Sequence, residues 1–266
     1  MKRVLLFLVV AGLTTIAYGQ KKETRPVSDF TGIDASSAFD ITVTRGDTES
    51  LILEADDEAM AYVRSEVRNG VLHLYLDNEK KVKNIKTMKA AIVMKNLDRV
   101  SLSGACKFTA SDLFTPDRFK GDCSGASNMT VNLNTGQLNI GASGASNIQI
   151  NVNVTGNAEL ELSGASKFRG ELKAAAVKFS SSGVSSVDLT GSADSFNIEV
   201  SGTSKVNAGD FTVKTADIRS SGTSNITVNV ADAMSVISSG ASAVNYKGSA
   251  TVSYVSTSGS SRVKKI

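Results

Sequence analysis

The 266-residue chain has no tryptophan, one histidine, two cysteines and two prolines, and each scarcity closes off a class of chemistry. A single histidine, His73, and two cysteines, Cys106 and Cys123, do not make the ligand spacings of a zinc site. Phosphate-cradling glycine loops are also missing. No cofactor and no metal are therefore expected. Charge of one sign is lacking too: 29 Lys and Arg against 26 Asp and Glu give +3. A nucleic-acid binder needs a concentrated basic face, so no nucleic-acid partner is expected. After residue 13 no apolar run is long enough to span a bilayer as a helix, and no transmembrane segment is expected beyond that point.

The N-terminus reads differently. Lys2 and Arg3 precede the apolar run Val4 to Leu13, and Ala17-Tyr18-Gly19 puts small residues three and one before a cut ahead of Gln20. This is the pattern of a secretory signal peptide over residues 1–19. Its removal takes away two basic residues and lowers the charge from +3 to +1 on the remaining 247 residues. No cysteine stands directly after the cut, so no lipid anchor is expected there. The protein is expected to be exported to the periplasm, the cell surface or the medium.

With 22 glycines and abundant Ser and Asn, the composition favours turn-rich β structure. A Ser-Gly-small-Ser/Cys motif occurs nine times, with its glycine at positions 104, 125, 144, 164, 183, 202, 222, 240 and 259. The intervals are 21, 19, 20, 19, 19, 20, 18 and 19 residues, a period that marks a repeat architecture. Four residues after each glycine stand Phe108, Met129, Ile148, Phe168, Val187, Val206, Ile226, Val244 and Val263. Four before it stand Val100, Gly121, Ile140, Leu160, Phe179, Ile198, Ile218, Val236 and Val255. The columns between are polar, including Lys107, Asn128, Asn147 and Lys167 three residues after the glycine. Alternation with period two on both arms of every repeat means strands with one buried face. Two strands joined at a glycine corner, repeated every 19 or 20 residues, make one coil of a solenoid whose coils stack about 4.8 Å apart.

The predicted fold is all-β: a right-handed, single-stranded parallel β-helix of about nine coils over residues 97–266. Residues 20–96 are expected to hold a degenerate first coil and a cap. Aligning Ser36-Ser37-Ala38 on the corner brings Ile33 and Ile41 into the two apolar columns. Residues 46–96 break the period: Leu51 to Leu53 and Val71 to Leu76 read as strands, Asn69-Gly70 as a hairpin turn, and Asp56 to Val63 as a short helix capped by Asp56. This excursion is expected to cover the open end of the solenoid.

The column two residues after the glycine is Cys106 followed by eight serines, Ser127 to Ser261. By the alternation it points inward, where hydroxyls can bond to a neighbouring coil. No general base accompanies it, so a ladder of nucleophiles is not expected. An outward acidic face combines Glu159, Glu161, Glu199 and Asp217 with Lys178 and Arg219, a solvated surface of mixed charge and no catalytic site. Cys106 and Cys123 fall at inward positions of adjacent coils. An oxidising envelope would allow a disulfide between them, and they are equally two small apolar substitutes in their columns.

The motifs Gly144-Ala-Ser-Asn147-Ile148 and Gly222-Thr-Ser-Asn225-Ile226, with a signal peptide and a Phe-Asp-Ile-Thr-Val strand near the start, resemble the auto-transporter adhesin, head GIN domain family. The resemblance covers roughly residues 30–262. It implies a β-helix similar to pectin lyases but without their catalytic residues, and a role in cell adhesion. The repeat runs to the last residues of the chain, so no added membrane barrel is expected.

Three functional readings follow. The first is a non-catalytic envelope protein, adhesin-like, that binds a glycan or a surface protein along a flat outer face. The second is a carbohydrate-active β-helix enzyme with an unrecognised site, and the third a structural envelope component. Few aromatic residues are available as sugar platforms, with Tyr254 in an outward column. The candidate binding face is therefore the neutral patch of Asn128, Thr130, Asn147 and Gln149, bordered by Lys167 and Arg169.

Overall fold

The structure is a computed structural model and describes residues 19–77, 82 and 84–266. The signal peptide predicted from the sequence lies, apart from Gly19, outside the described residues. The chain forms a parallel β-solenoid of about nine turns with a 19-residue spacing. The two apolar columns are two stacked ladders. Phe108, Met129, Ile148, Phe168, Val187, Val206, Ile226 and Val244 pair in parallel register from coil to coil and are no more than 1% exposed. Val100 through Val236 do the same on the facing arm. Gly121 is the one member of that ladder without a side chain. A Cβ there would come within 2.8 Å of Met129 Cε and 3.0 Å of Ile140 Cδ1, so its neighbours already fill the space. Coil lengths of unequal size are absorbed by register shifts, as between Asp188 and Thr190 and between Ala208 and Thr212.

The corner explains its glycine twice over. Gly125, Gly144 and Gly164 all have φ near +70°, a region that L side chains rarely adopt. A Cβ on Gly164 would also stand 2.6 Å from the carbonyl oxygen of Gly144, because that carbonyl accepts from the next coil's Ala165 N–H at 2.7 Å. The inward serines do something other than reach only across coils. Ser127, Ser146 and Ser166 each donate to the carbonyl three residues back in their own corner, at 2.8, 2.7 and 2.7 Å. Links to a neighbouring coil are made by hydroxyls outside that column, such as Ser124 to Leu102 O at 3.2 Å, and also by inward serines, as in Ser204 with Ser181 at 3.0 Å and Ser242 to Gly222 O at 3.4 Å.

The N-terminal region is where the stacking order departs from the chain order. Strand Gly32–Ala35 pairs in parallel with Arg99–Leu102 on one side and with Val71–Leu76 on the other. Strand Asp40–Arg45 lies likewise between Lys107–Phe114 and Met88–Met94. Ile33 and Ile41 take the predicted columns, against Val100 and Phe108, and Ser37 holds the corner at φ 76°. The stretch read as aperiodic cover thus contains a further coil, built of Val71–Leu76 and Met88–Met94, and the first coil in sequence is wedged second in the stack. Asn69-Gly70 turns a hairpin, φ 52° and 73°, that lays Val63–Arg68 antiparallel on Val71–Leu76. Ser50–Asp56 adds antiparallel to Met88–Met94, and Gln20–Arg25 adds antiparallel to Ser50–Asp56 in turn. The helix is shorter than expected, Asp57–Met60, and Asp56 makes no side-chain cap. Its carboxylate accepts instead from Lys86 N at 2.6 Å and Thr87 N at 3.3 Å. Ala59 and Met60 on the helix are buried in the core, closing that end.

Candidate functional site

Strand alternation presents one row of side chains outward on the arm that follows each corner. On strand Asn128–Thr135 that row is Asn128, Thr130, Asn132 and Asn134, and on Asn147–Val154 it is Asn147, Gln149, Asn151 and Asn153. The two strands pair residue for residue, so the rows form a two-by-four grid. Asn128, Thr130, Asn147 and Gln149 are brought together as the sequence suggested. Asn132, Asn134, Asn151 and Asn153 extend the patch, and the same alternation carried four residues further would have found them. Asn132 Nδ2 donates to Ser111 O at 2.6 Å, which fixes one amide of the grid. Lys167 and Arg169 border it on the next coil, beside Asn147 and Gln149. Arg169 is partly neutralised by Asp188, 3.8 Å away on the following coil. Shallow hollows of about 450 Å³ around Asn132 and Asn151 and about 680 Å³ around Asn147, Lys167 and Arg169 lie along this face. Amide and hydroxyl groups both donate and accept, so the grid can bind hydroxyls or peptide groups without a net charge.

The acidic residues stand on the other arm. Lys178 Nζ is 2.7 Å from Glu159 Oε1. That hydrogen bond, and then attraction to Glu159, Glu161 and Glu199, raise the Lys178 pKa above the usual lysine range. Asp217 accepts from Ser235 Oγ. Glu161, Ser180 and Glu199 are consecutive in one file, which places the two carboxylates two coil steps apart, roughly 9.6 Å. They flank a groove of about 980 Å³ that runs along the axis from Ser101 to Ser239. Glycoside hydrolysis uses carboxyl pairs roughly 5–9.5 Å apart, so this pair lies at the outer edge of that range.

Cys106 and Cys123 are free thiols, 0% and 2% exposed. Burial raises the pKa of both, and that of Cys123 to about 12, the state of an inert core residue. His73, without a neighbour in sequence, gains Asp34 from the fold: its Nδ1 is 3.6 Å from Asp34 Oδ2 across the wedged coil. Tyr254 is outward and 56% exposed. Among the described residues no three His, Cys, Asp or Glu are grouped to hold a metal ion, and no helix is long and apolar enough to cross a membrane.

Solved structures share this architecture. A "putative adhesin" from Parabacteroides merdae superposes with a TM-score of 0.75 at 19% identity, over 93% of this chain and 96% of that one. A "putative adhesin" from Parabacteroides distasonis gives 0.73 at 18%, over 94% and 98%. A "putative lipid binding protein" from the same species gives 0.71 at 17%, over 93% and 96%. At such identities the likeness is one of fold. No curated protein matches the chain. The family described as "Putative auto-transporter adhesin, head GIN domain" matches residues 29–156 and again 149–250. The two matches follow each other along the solenoid, as a repeat fold allows, and the chain belongs to that family.

Proposed function

We propose that the protein is an exported, non-catalytic, adhesin-like component of the cell envelope that holds a glycan or a surface protein along its neutral amide face. The observation that carries this reading is the grid of eight uncharged side chains on two adjacent coils, in register and facing outward. A stacked array suits an extended, repetitive ligand because weak contacts add along a rigid surface. Membership of an adhesin family supports it. So does the chemistry of the acidic arm, where Glu159 is held by Lys178 and the remaining pair is widely spaced.

The test is attachment of the purified protein to envelope and matrix glycans and to whole cells, compared with the triple variant Asn128→Ala, Asn147→Ala, Gln149→Ala. The variant keeps its thermal midpoint and loses about 0.5–1.5 kcal/mol of binding for each hydrogen bond removed, tenfold or more in total. Unchanged attachment would move the site elsewhere. The same protein incubated with acidic and neutral polysaccharides, with and without calcium, releases no reducing or unsaturated ends. Activity abolished by Glu161→Gln or Glu199→Gln would make it a carbohydrate-active enzyme instead.

A further inference from the structure

The groove on the acidic arm has a regularity that the amide face does not use. The file three residues before the corner, followed from coil to coil, reads Asp122, Gly141, Glu161, Ser180, Glu199. A carboxylate stands on every second coil, and a glycine or serine stands between. The small residue leaves room for its neighbour's charge: a Cβ on Gly141 would come within 2.8 Å of the Asp122 carboxylate as it now lies. Two coil steps make the carboxylate repeat roughly 9.6 Å. Among the described residues neither Glu161 nor Glu199 has an ion-pair partner. Asp122 is 3.3 Å from Lys120, Lys178 is held by Glu159, and Arg219 follows Glu199 and ends the acidic file. Beside this file runs the serine that precedes each corner, one per coil. Ser124 and Ser163 spend their protons on the preceding coil and keep lone pairs for an incoming N–H donor.

We propose that this groove is a second binding site, for an extended basic peptide in the polyproline II conformation with Lys or Arg at every third residue. That helix has three residues per turn and a rise of about 3.1 Å, so its third residues recur on one side every ~9.3 Å, close to the carboxylate repeat. Its backbone has no internal hydrogen bonds, so the N–H of each basic residue is free for a groove serine. The match of repeat and charge selects this occupant over a β-strand, whose same-face side chains recur about every 6.6 Å. The site is on the arm facing away from the amide grid and does not depend on it.

The probe is a fluorescent peptide of four Lys-Pro-Pro repeats, titrated with the protein at low salt and followed by anisotropy. Saturable binding is expected, weakened about tenfold in the double variant Glu161→Gln, Glu199→Gln by the loss of two exposed charge pairs. The triple amide-face variant should bind the peptide like the parent protein, and a peptide of the same composition with its lysines in one block should bind several-fold more weakly. Both carboxylates are on exposed side chains, and an unchanged thermal midpoint confirms that the double variant is folded. No binding, equal binding of the block peptide, or indifference to the double substitution would overturn the proposal. So would stronger, glutamate-dependent binding of a glucosamine oligomer, which would assign the groove to a cationic glycan.

Discussion

Adjacent residues on these strands live in opposite environments, and that contrast is measurable. Phe168 is 1% exposed between Ile148 and Val187, while Lys167 beside it faces water. Phe168→Ala should cost about 3–5 kcal/mol, the range for truncating a buried phenylalanine. Lys167→Ala should stay within about 0.5 kcal/mol. Equal denaturation midpoints for the two would refute the register. The buried thiols make a second residue-scale test. An unfolded cysteine titrates near ~8.5, and folded Cys123 at about 12. The folded state thus holds the proton more tightly than the unfolded state. The stability this confers is full below the unfolded value and falls as pH rises from there towards 12. Urea midpoints measured between neutral and alkaline pH should fall more steeply for the parent than for Cys106→Ser, Cys123→Ala, which substitutes the residues found in those columns on other coils. Parallel slopes would show that the thiols do not contribute.

At the scale of the corner, backbone geometry outweighs side-chain identity. Gly164 combines a φ of 69° with a Cβ position 2.6 Å from a backbone oxygen that cannot move without breaking its own ladder. Gly164→Ala should therefore cost at least about 1–3 kcal/mol in backbone strain alone. Gly209 has no positive φ and its nearest neighbour is a threonine methyl at 3.4 Å, so Gly209→Ala should be close to neutral. Thermal melts of the two variants compare them directly, and an equal loss would mean that the corner glycines recur for some reason other than stacking. Ser37 occupies the same left-handed corner without being glycine. Its carbonyl oxygen in turn lies 2.3 Å from a notional Cβ on Gly104, the corner of the next coil, so that corner needs its glycine.

For the whole molecule, each coil is stabilised by its two neighbours, so protection should follow position in the stack and not position in the chain. Residues 32–45 are near the start of the chain but are sandwiched between two coils. Thr251–Thr257 is mostly exposed, and its column residue Val255 is 46% exposed where its counterparts on inner coils are buried. Hydrogen exchange followed by mass spectrometry should find the amides of 32–45 protected nearly as well as the central coils, and those of 251–266 exchanging earliest. Comparable rates for the two segments would contradict the wedged coil.

The period of the corner glycines and the alternation on either side determined the solenoid, its register and its core, because both signals are local: a strand has a two-residue side-chain period wherever it lies. For the same reason Asn128, Thr130, Asn147 and Gln149 could be placed on one face from spacing alone, and Asn69-Gly70 could be read as a turn. Spacing along the chain could not reveal that Val71–Leu76 and Met88–Met94 form a coil below the one that precedes them, since their partners are not one repeat away. Nor could it give His73 its neighbour Asp34, or place the Asp56 carboxylate against Lys86 and Thr87, contacts made across 30 or more residues. Those were decided by tertiary stacking, in which the apolar faces of an irregular segment are buried wherever a matching ladder is open to receive them.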